Sequence, residues 1–168
     1  DRFQCVRPDR VRPCGGMQCI LVHHPFEQPT AAVRELERRL ANEAAVVGVT
    51  VAEQLPLMAT PTPRAIEVSG ASPAEQSRRP KVGASAVAPN LFEVFQMPVL
   101  AGRTFDSRDL NENANTVVVN SLFVDRILSG RNAVGQRIRY KSVEPTDDRR
   151  SLVKPGPWLE IIGVVRDV

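Results

Sequence analysis

Two passages limit what this chain can fold into. In the first, Leu91-Phe-Glu-Val-Phe-Gln-Met-Pro-Val-Leu-Ala-Gly-Arg-Thr-Phe-Asp106, a short apolar helix pattern is stopped by proline and runs on to a glycine. In the second, Val117 to Arg139, a β-branched run hands over to a helix pattern that closes on Gly130 and reopens after Gly135. Strand and helix patterns alternating over so few residues require helices laid against strands, an α/β (α+β) arrangement. Neither passage carries an obvious nucleophile, base or metal cluster. The chain is therefore expected to hold, dock or transmit rather than to catalyse.

The same reading predicts the other elements. Met17 to Val22 reads as a first strand. Thr30 is placed as the N-cap of a helix over 31–44, in which Val33, Leu36, Leu40 and Ala44 share one face and Glu35 pairs with Arg38 or Arg39 on the wet side. That face is expected to pack on the core. Val46 to Glu53 reads as a strand, broken by Leu55-Pro-Leu-Met58 and Pro61-Thr-Pro63. Arg64 to Ser69 alternates as a half-exposed strand, Gly70 to Pro80 reads as a flexible loop, and Val82 to Val87 as a strand antiparallel to the previous one. Pro89 suits the opening of a short helix, Asn90 to Phe95, which Met97-Pro98 ends.

Beyond it, Val99 to Arg103 is expected to turn the chain, Phe105 to bury, and Asp106 or Ser107 to cap a hydrophilic corner ending at Asp109. Thr116 to Asn120 is a buried strand and Ser121 to Leu128 a helix with Leu122, Phe123, Ile127 and Leu128 inward. Gly130 stands behind it as a C-cap. Ala133 to Tyr140 reads as a strand, Ser142 to Pro157 as a long mobile loop, and Trp158 to Val165 as a final strand. The start at Asp1 without Met, and a strand pattern so close to the end, suggest a piece of something longer. The final strand is then expected to lack partners and to leave the 168 residues only marginally stable.

Composition excludes several functions. Hydrophobic content of 42% and charged content of 24% are those of a globular chain, and no window holds the ~18 consecutive apolar residues of a membrane span. The net charge of +3 is dispersed over Arg2, Arg7, Arg10 and Arg12, then Arg78, Arg79 and Lys81, then Arg137, Arg139 and Lys141. With aromatics at 5%, no nucleic-acid stripe forms. Cys5, Cys14 and Cys19 with His23 and His24 lack the tight C-x2-C knuckle of structural zinc sites. A Cys5–Cys14 or Cys14–Cys19 disulfide stays open.

Asp106 with Asp109, and Asp147 with Asp148, are candidate carboxylate pairs, but each lies among Ser, Arg and Asn as a solvated corner. Ser121 follows a strand and opens a helix without the flanking glycines of a nucleophile elbow. Single glycines make no phosphate cradle. No catalytic, cofactor-binding or metal residue is assigned. Phe92, Phe95, Pro98, Gly102, Phe105, Asn120, Gly130, Gly135 and Gly163 are expected to be structural.

Four segments in order carry a family likeness: Glu43 to Leu57, Val87 to Phe105, Val118 to Ile138, and Ile161-Ile-Gly-Val-Val-Arg-Asp167. Together they resemble the periplasmic core domain of MacB-like, FtsX-type ABC transporter permeases, particularly the orphan group with duplicated halves. Gln96 stands where the family usually has glycine, and Ser129 and Ala133 where it usually has proline. The resemblance implies a non-catalytic extracytoplasmic domain between the first two membrane helices of a permease subunit. It implies a poorly matching leader or linker over 1–29, the first part of a porter-like α/β lobe over 30–115, and the start of a smaller β-rich lobe over 116–168. The implied partners are the permease's own transmembrane helices, a second permease copy or subunit, an ATP-binding subunit acting indirectly, and a periplasmic adaptor protein. The implied role is to relay movement of the membrane helices to substrate or partner proteins in the periplasm. An autonomous periplasmic ligand- or protein-binding module is the alternative.

Overall fold

A computed structural model describes residues 19–22, 30–53, 63–77, 80–111, 113–144 and 152–167. The elements, in chain order, are β1 (Cys19–Val22), α1 (Ala31–Ala41), β2 (Arg64–Val68), α2 (Pro73–Ser77), β3 (Lys81–Ala86), α3 (Leu91–Val94), β4 (Val99–Gly102), a 3-10 turn (Ser107–Leu110), β5 (Thr116–Asn120), α4 (Ser121–Ile127), β6 (Arg137–Glu144), β7 (Leu152–Pro155) and β8 (Leu159–Val165). The strands form one mixed sheet in the order β4-β8-β5-β1-β3-β2-β6-β7, and β6 pairs back onto β8. The sheet therefore curls into a ring, β8-β5-β1-β3-β2-β6, with β4 and β7 as appended margins. β5, the first element beyond residue 115, lies between β1 and β8.

The expectation that the final strand lacks partners is overturned. β8 runs parallel to β5 and antiparallel to β4 and β6, so three strands share it. Its apolar run Ile161-Ile-Gly-Val-Val165 is continuous because both of its faces are covered. Ile161 and Val164 join one core with Val117, Val119 and Phe123, while Ile162 and Val165 join a second with Val118, Leu91, Phe92 and Phe105. Strict alternation would put 161 and 164 on opposite faces. A register shift against β5 between Val117 and Val118 removes the conflict, the usual work of a β-bulge.

Gly102 and Gly163 are register partners where β4 crosses β8. Gly102 has a φ of +68°, and a Cβ there would press on the Ile162 carbonyl oxygen and come within 3.0 Å of Gly163 Cα. Two backbones in contact leave no room for a side chain, which is why both positions are glycine.

Several expected elements differ. Val99 to Arg103 is not a turn: Val99–Gly102 is the edge strand β4. Val46 to Glu53 is not a ladder strand. It is tied down by Glu53 N–H to Ala86 O, Ala88 N–H to Val51 O and the Asn90 side chain, which donates to Val49 O and accepts from Thr50 Oγ1. Gly70 to Pro80 contains α2, closed by a reciprocal cap in which Glu75 N–H donates to Ser72 Oγ and Ser72 N–H to the Glu75 carboxylate. Ser142 to Pro157 contains the end of β6 paired with β7, Lys141 opposite Pro155 and Glu144 opposite Leu152. Residues 133–136 form a turn through Gly135 at φ +86°, ahead of β6.

The first helix stops at Ala41, so Ala44 lies outside it, and none of its residues is fully buried. Its expected core-packing face is only half-covered at Val33, Leu36 and Leu40. Thr30 stands at the N-cap position without a side-chain capping bond. The Glu35 pairs with Arg38 and Arg39 form as expected. Leu55 to Pro61 lies outside the described residues.

Tyr140 on β6 packs against the larger core, and its hydroxyl is buried with no hydrogen-bond partner among the described residues. Burial pushes the phenol well above its ordinary value, against the weaker opposing pull of Arg64. A buried donor without an acceptor is destabilising. Tyr140→Phe is therefore expected to raise stability by about 1 kcal/mol, read as a higher urea midpoint with unchanged slope.

Candidate functional site

The carboxylate pair Asp106 and Asp109 is the first place where catalysis was conceivable. Asp106 caps the 3-10 turn through Arg108 N–H at 2.9 Å, and Asp109 reaches back to Asp106 N–H at 2.9 Å. This Asp-x-x-Asp box turns the second carboxylate inward. Asp109 is 2% exposed, against the expectation of a solvated corner. It accepts from both terminal nitrogens of Arg103 and, at 2.9 Å, from Thr116 Oγ1.

Burial raises the Asp109 pKa, but the bonds from Arg103, Asp106 N–H and Thr116 outweigh it and hold the carboxyl below its ordinary value. Arg108, by side chain and backbone, holds Asp106 low as well. Both are ionised at neutral pH, so neither stores a proton to donate. The cluster ties the end of β4 to β5. Asp147 and Asp148 lie outside the described residues.

Ser121 has a carboxylate partner, but the geometry is that of a cap. Asn120, 8% exposed, accepts from Phe123 N–H at 3.1 Å. Ser121 Oγ donates to Asp167 at 2.9 Å, and Leu122 N–H donates to the other oxygen of the same carboxylate at 3.1 Å. Because β5 and β8 are parallel neighbours, their ends lie side by side, and Asp167 reaches the first turn of α4. The chain's two histidines, His23 and His24, lie outside the described residues. Asp167 was not picked out as a partner of Ser121, since nothing local joins residues so far apart.

Several of the positions singled out as structural sit in the core or at turns. Phe92 and Phe105 meet with ring centroids 5.8 Å apart inside the second core, with Phe95 against its edge. Pro98 O accepts from Arg166 N–H where β4 opens. Ser129 and Gly130 turn the chain after α4 at φ 53° and 76°. A φ of 53° at Ser129 is closed to proline. Gln96 has a φ of 51°, a conformation that favours glycine. Ala133 is buried in the larger core.

Beside the Arg103–Asp109 cluster, the loop after the 3-10 turn and the first residues of β6 and β8 border an open groove of about 430 Å³. Trp158 lines it. The Arg139 guanidinium lies 4.4 Å from that ring's centroid and is itself held by Glu67 at 2.9 Å. Among the described residues there is no group of three His, Cys, Asp or Glu able to hold a metal ion, and no helix long and apolar enough to cross a membrane. Cys5, Cys14, His23 and His24 lie outside those residues, and Cys19 is on β1.

Residues 26–168 match the family described as the MacB-like periplasmic core domain. No curated protein matches the chain. Among solved structures the chain is similar to the periplasmic region of MacB from Actinobacillus actinomycetemcomitans, with 15% identity and a TM-score of 0.49 over 80% of this chain and 50% of that one. The chain thus spans about half the length of that relative. With the family match running through every described strand but β1, and through every described helix, the chain belongs to the MacB-like periplasmic core domain family.

Proposed function

We propose that this chain is a non-catalytic periplasmic domain of an ABC transporter permease, relaying conformational change between membrane helices and periplasmic substrate or partner proteins. Family membership supports the periplasmic setting. The observation that carries the relay is the fastening of β8. Its three strand partners and the bonds from Asp167 to the start of α4 make the end of that strand continuous with the sheet. A pull on residue 167 would move the ring as a body, because no hinge of unpaired backbone lies between them. The partners on this reading are the permease's own transmembrane helices, a second permease copy, an ATP-binding subunit and a periplasmic adaptor.

The test uses the parent permease with spin labels at Val47 and Leu110, both exposed on the surface. Distances between the two copies should change by roughly 5 Å or more between the nucleotide-free and ATP-bound states. The Val47–Leu110 distance within one domain should stay fixed. Unchanged distances between copies would overturn the relay.

A further inference from the structure

We propose that the groove beside Trp158 is a binding site for a neutral saccharide. The site goes beyond the relay reading and does not depend on it. Its size, about 430 Å³, is that of a small-ligand site, and its wall divides into two sets of side chains. On one side Arg103, Arg108 and Asp109 are consumed by one another and by Asp106. On the other, Asn113, Asn115, Arg137 and Glu160 line the groove with exposed side chains that hold no side-chain hydrogen bond among the described residues.

Arg137 and Glu160 are direct register partners across β6 and β8, yet no ion pair joins them among the described residues. Both heads stay available to a ligand. Their charges cancel, and the Arg103 and Arg108 charges are already met by Asp106 and Asp109. Among the described residues the groove thus offers no net charge to select an anion or a cation.

What it offers is planar and bidentate: two amides, a guanidinium and a carboxylate, donors and acceptors together. Vicinal hydroxyls are the chemistry that engages such groups in pairs. The indole supplies the apolar half of the match, since a sugar's C–H face lies well on an aromatic surface. Trp158 is braced by Arg139, which Glu67 holds, so the platform is ordered before any ligand arrives. An extended peptide fits less well. Bordering strands β5, β6 and β8 are already paired here, and Ala114 is the one aliphatic side chain on the lining, so no pocket anchors alternate residues.

Trp158 is the chain's single tryptophan, so its fluorescence reports on the groove alone. Titrating the 168-residue chain with chitotetraose and with maltotetraose should give a saturable emission change for at least one of them, with roughly millimolar affinity, and protection of Trp158 from acrylamide quenching. Asn115→Ala and Arg137→Ala, both at exposed side chains, should keep the circular dichroism of the parent and weaken binding at least tenfold. Ser77→Ala, on α2 away from the groove, should bind as the parent does. Emission unmoved by both saccharides would overturn the site, as would a response only to a polyglutamate or a glycine–serine peptide. Unchanged affinity in folded Arg137→Ala would do the same. Acrylamide protection in the parent chain needs no variant, so the answer does not depend on how the substitutions fold.

Discussion

Replacing Gly163 by alanine should cost the domain roughly 3 kcal/mol or more, enough to unfold much of it in mild urea. The added Cβ would be driven into the carbonyl oxygen of Arg103, with the carbonyl carbon 2.9 Å and the amide nitrogen 3.2 Å away. All three atoms are backbone, so no rotamer change relieves the clash. Relief requires β4 to lift off β8, which opens the second core around Phe105 and Ile162 and pulls at the Arg103 cluster. Gly102→Ala should behave similarly, with left-handed strain added at φ +68°. Gly130→Ala and Gly135→Ala are the comparison. A Cβ at either meets nothing within 4 Å, so only the left-handed conformation costs, about 1 kcal/mol each. Urea midpoints of the four variants separate a packing clash from a backbone preference. Equal losses at all four would refute the account of the crossing.

Asp109→Asn is expected to destabilise by about 3 kcal/mol, because it leaves the Arg103 guanidinium facing an amide at a site only 2% exposed. The loss should depend on pH. Folded Asp109 is held below its ordinary value, so its contribution is complete above about pH 4, the unfolded value, and fades as pH falls toward the folded one. Asp106, its side chain 37% exposed, titrates in the same direction. The parent should therefore lose stability steeply below pH 4, and Asp109→Asn should show a shallower decline over that range. Parallel curves from pH 7 to pH 3 would mean that the cluster is not the acid-sensitive fastening.

How much of this was legible follows from where the information sits. β5 and α4 could be read from Thr116 to Leu128 because a β-branched run, an Asn cap and a helical stripe occur in one stretch. α3 was legible from the phenylalanines and the Pro98 stop, although it starts at Leu91 with Asn90 as N-cap and leaves Pro89 outside. β4 was not: its four residues are all exposed, so burial left no alternation to read, and pairing with β8 alone makes it a strand. Val46 to Glu53 had the composition of a strand but is held by two backbone bonds and an asparagine instead of a ladder.

α2 did carry a local signal, the Ser72–Glu75 box, hidden in a stretch of serine, proline and charge. The first helix kept its predicted start and ion pairs but not its burial, since amphipathic spacing says which face is apolar and not what covers it. At the candidate sites, the buried state of Asp109, the Asp167 cap and the groove all join residues distant in sequence, and no window of the chain contains them.

The ring has a consequence for how the chain is made. β4 pairs with β8 alone, and β5 and β6 meet only through β8, the last of the described strands to be synthesised. Until residues 159–165 leave the ribosome, those three strands have no common neighbour, and the apolar faces of β5 and α4 stay partly open to water. Before then β5 can pair with β1, and β6 with β2 and β7, but β4 has no partner and the ring stays open. Closure is then a late, long-range event, slow by its contact order and exposed to chance association in the interval.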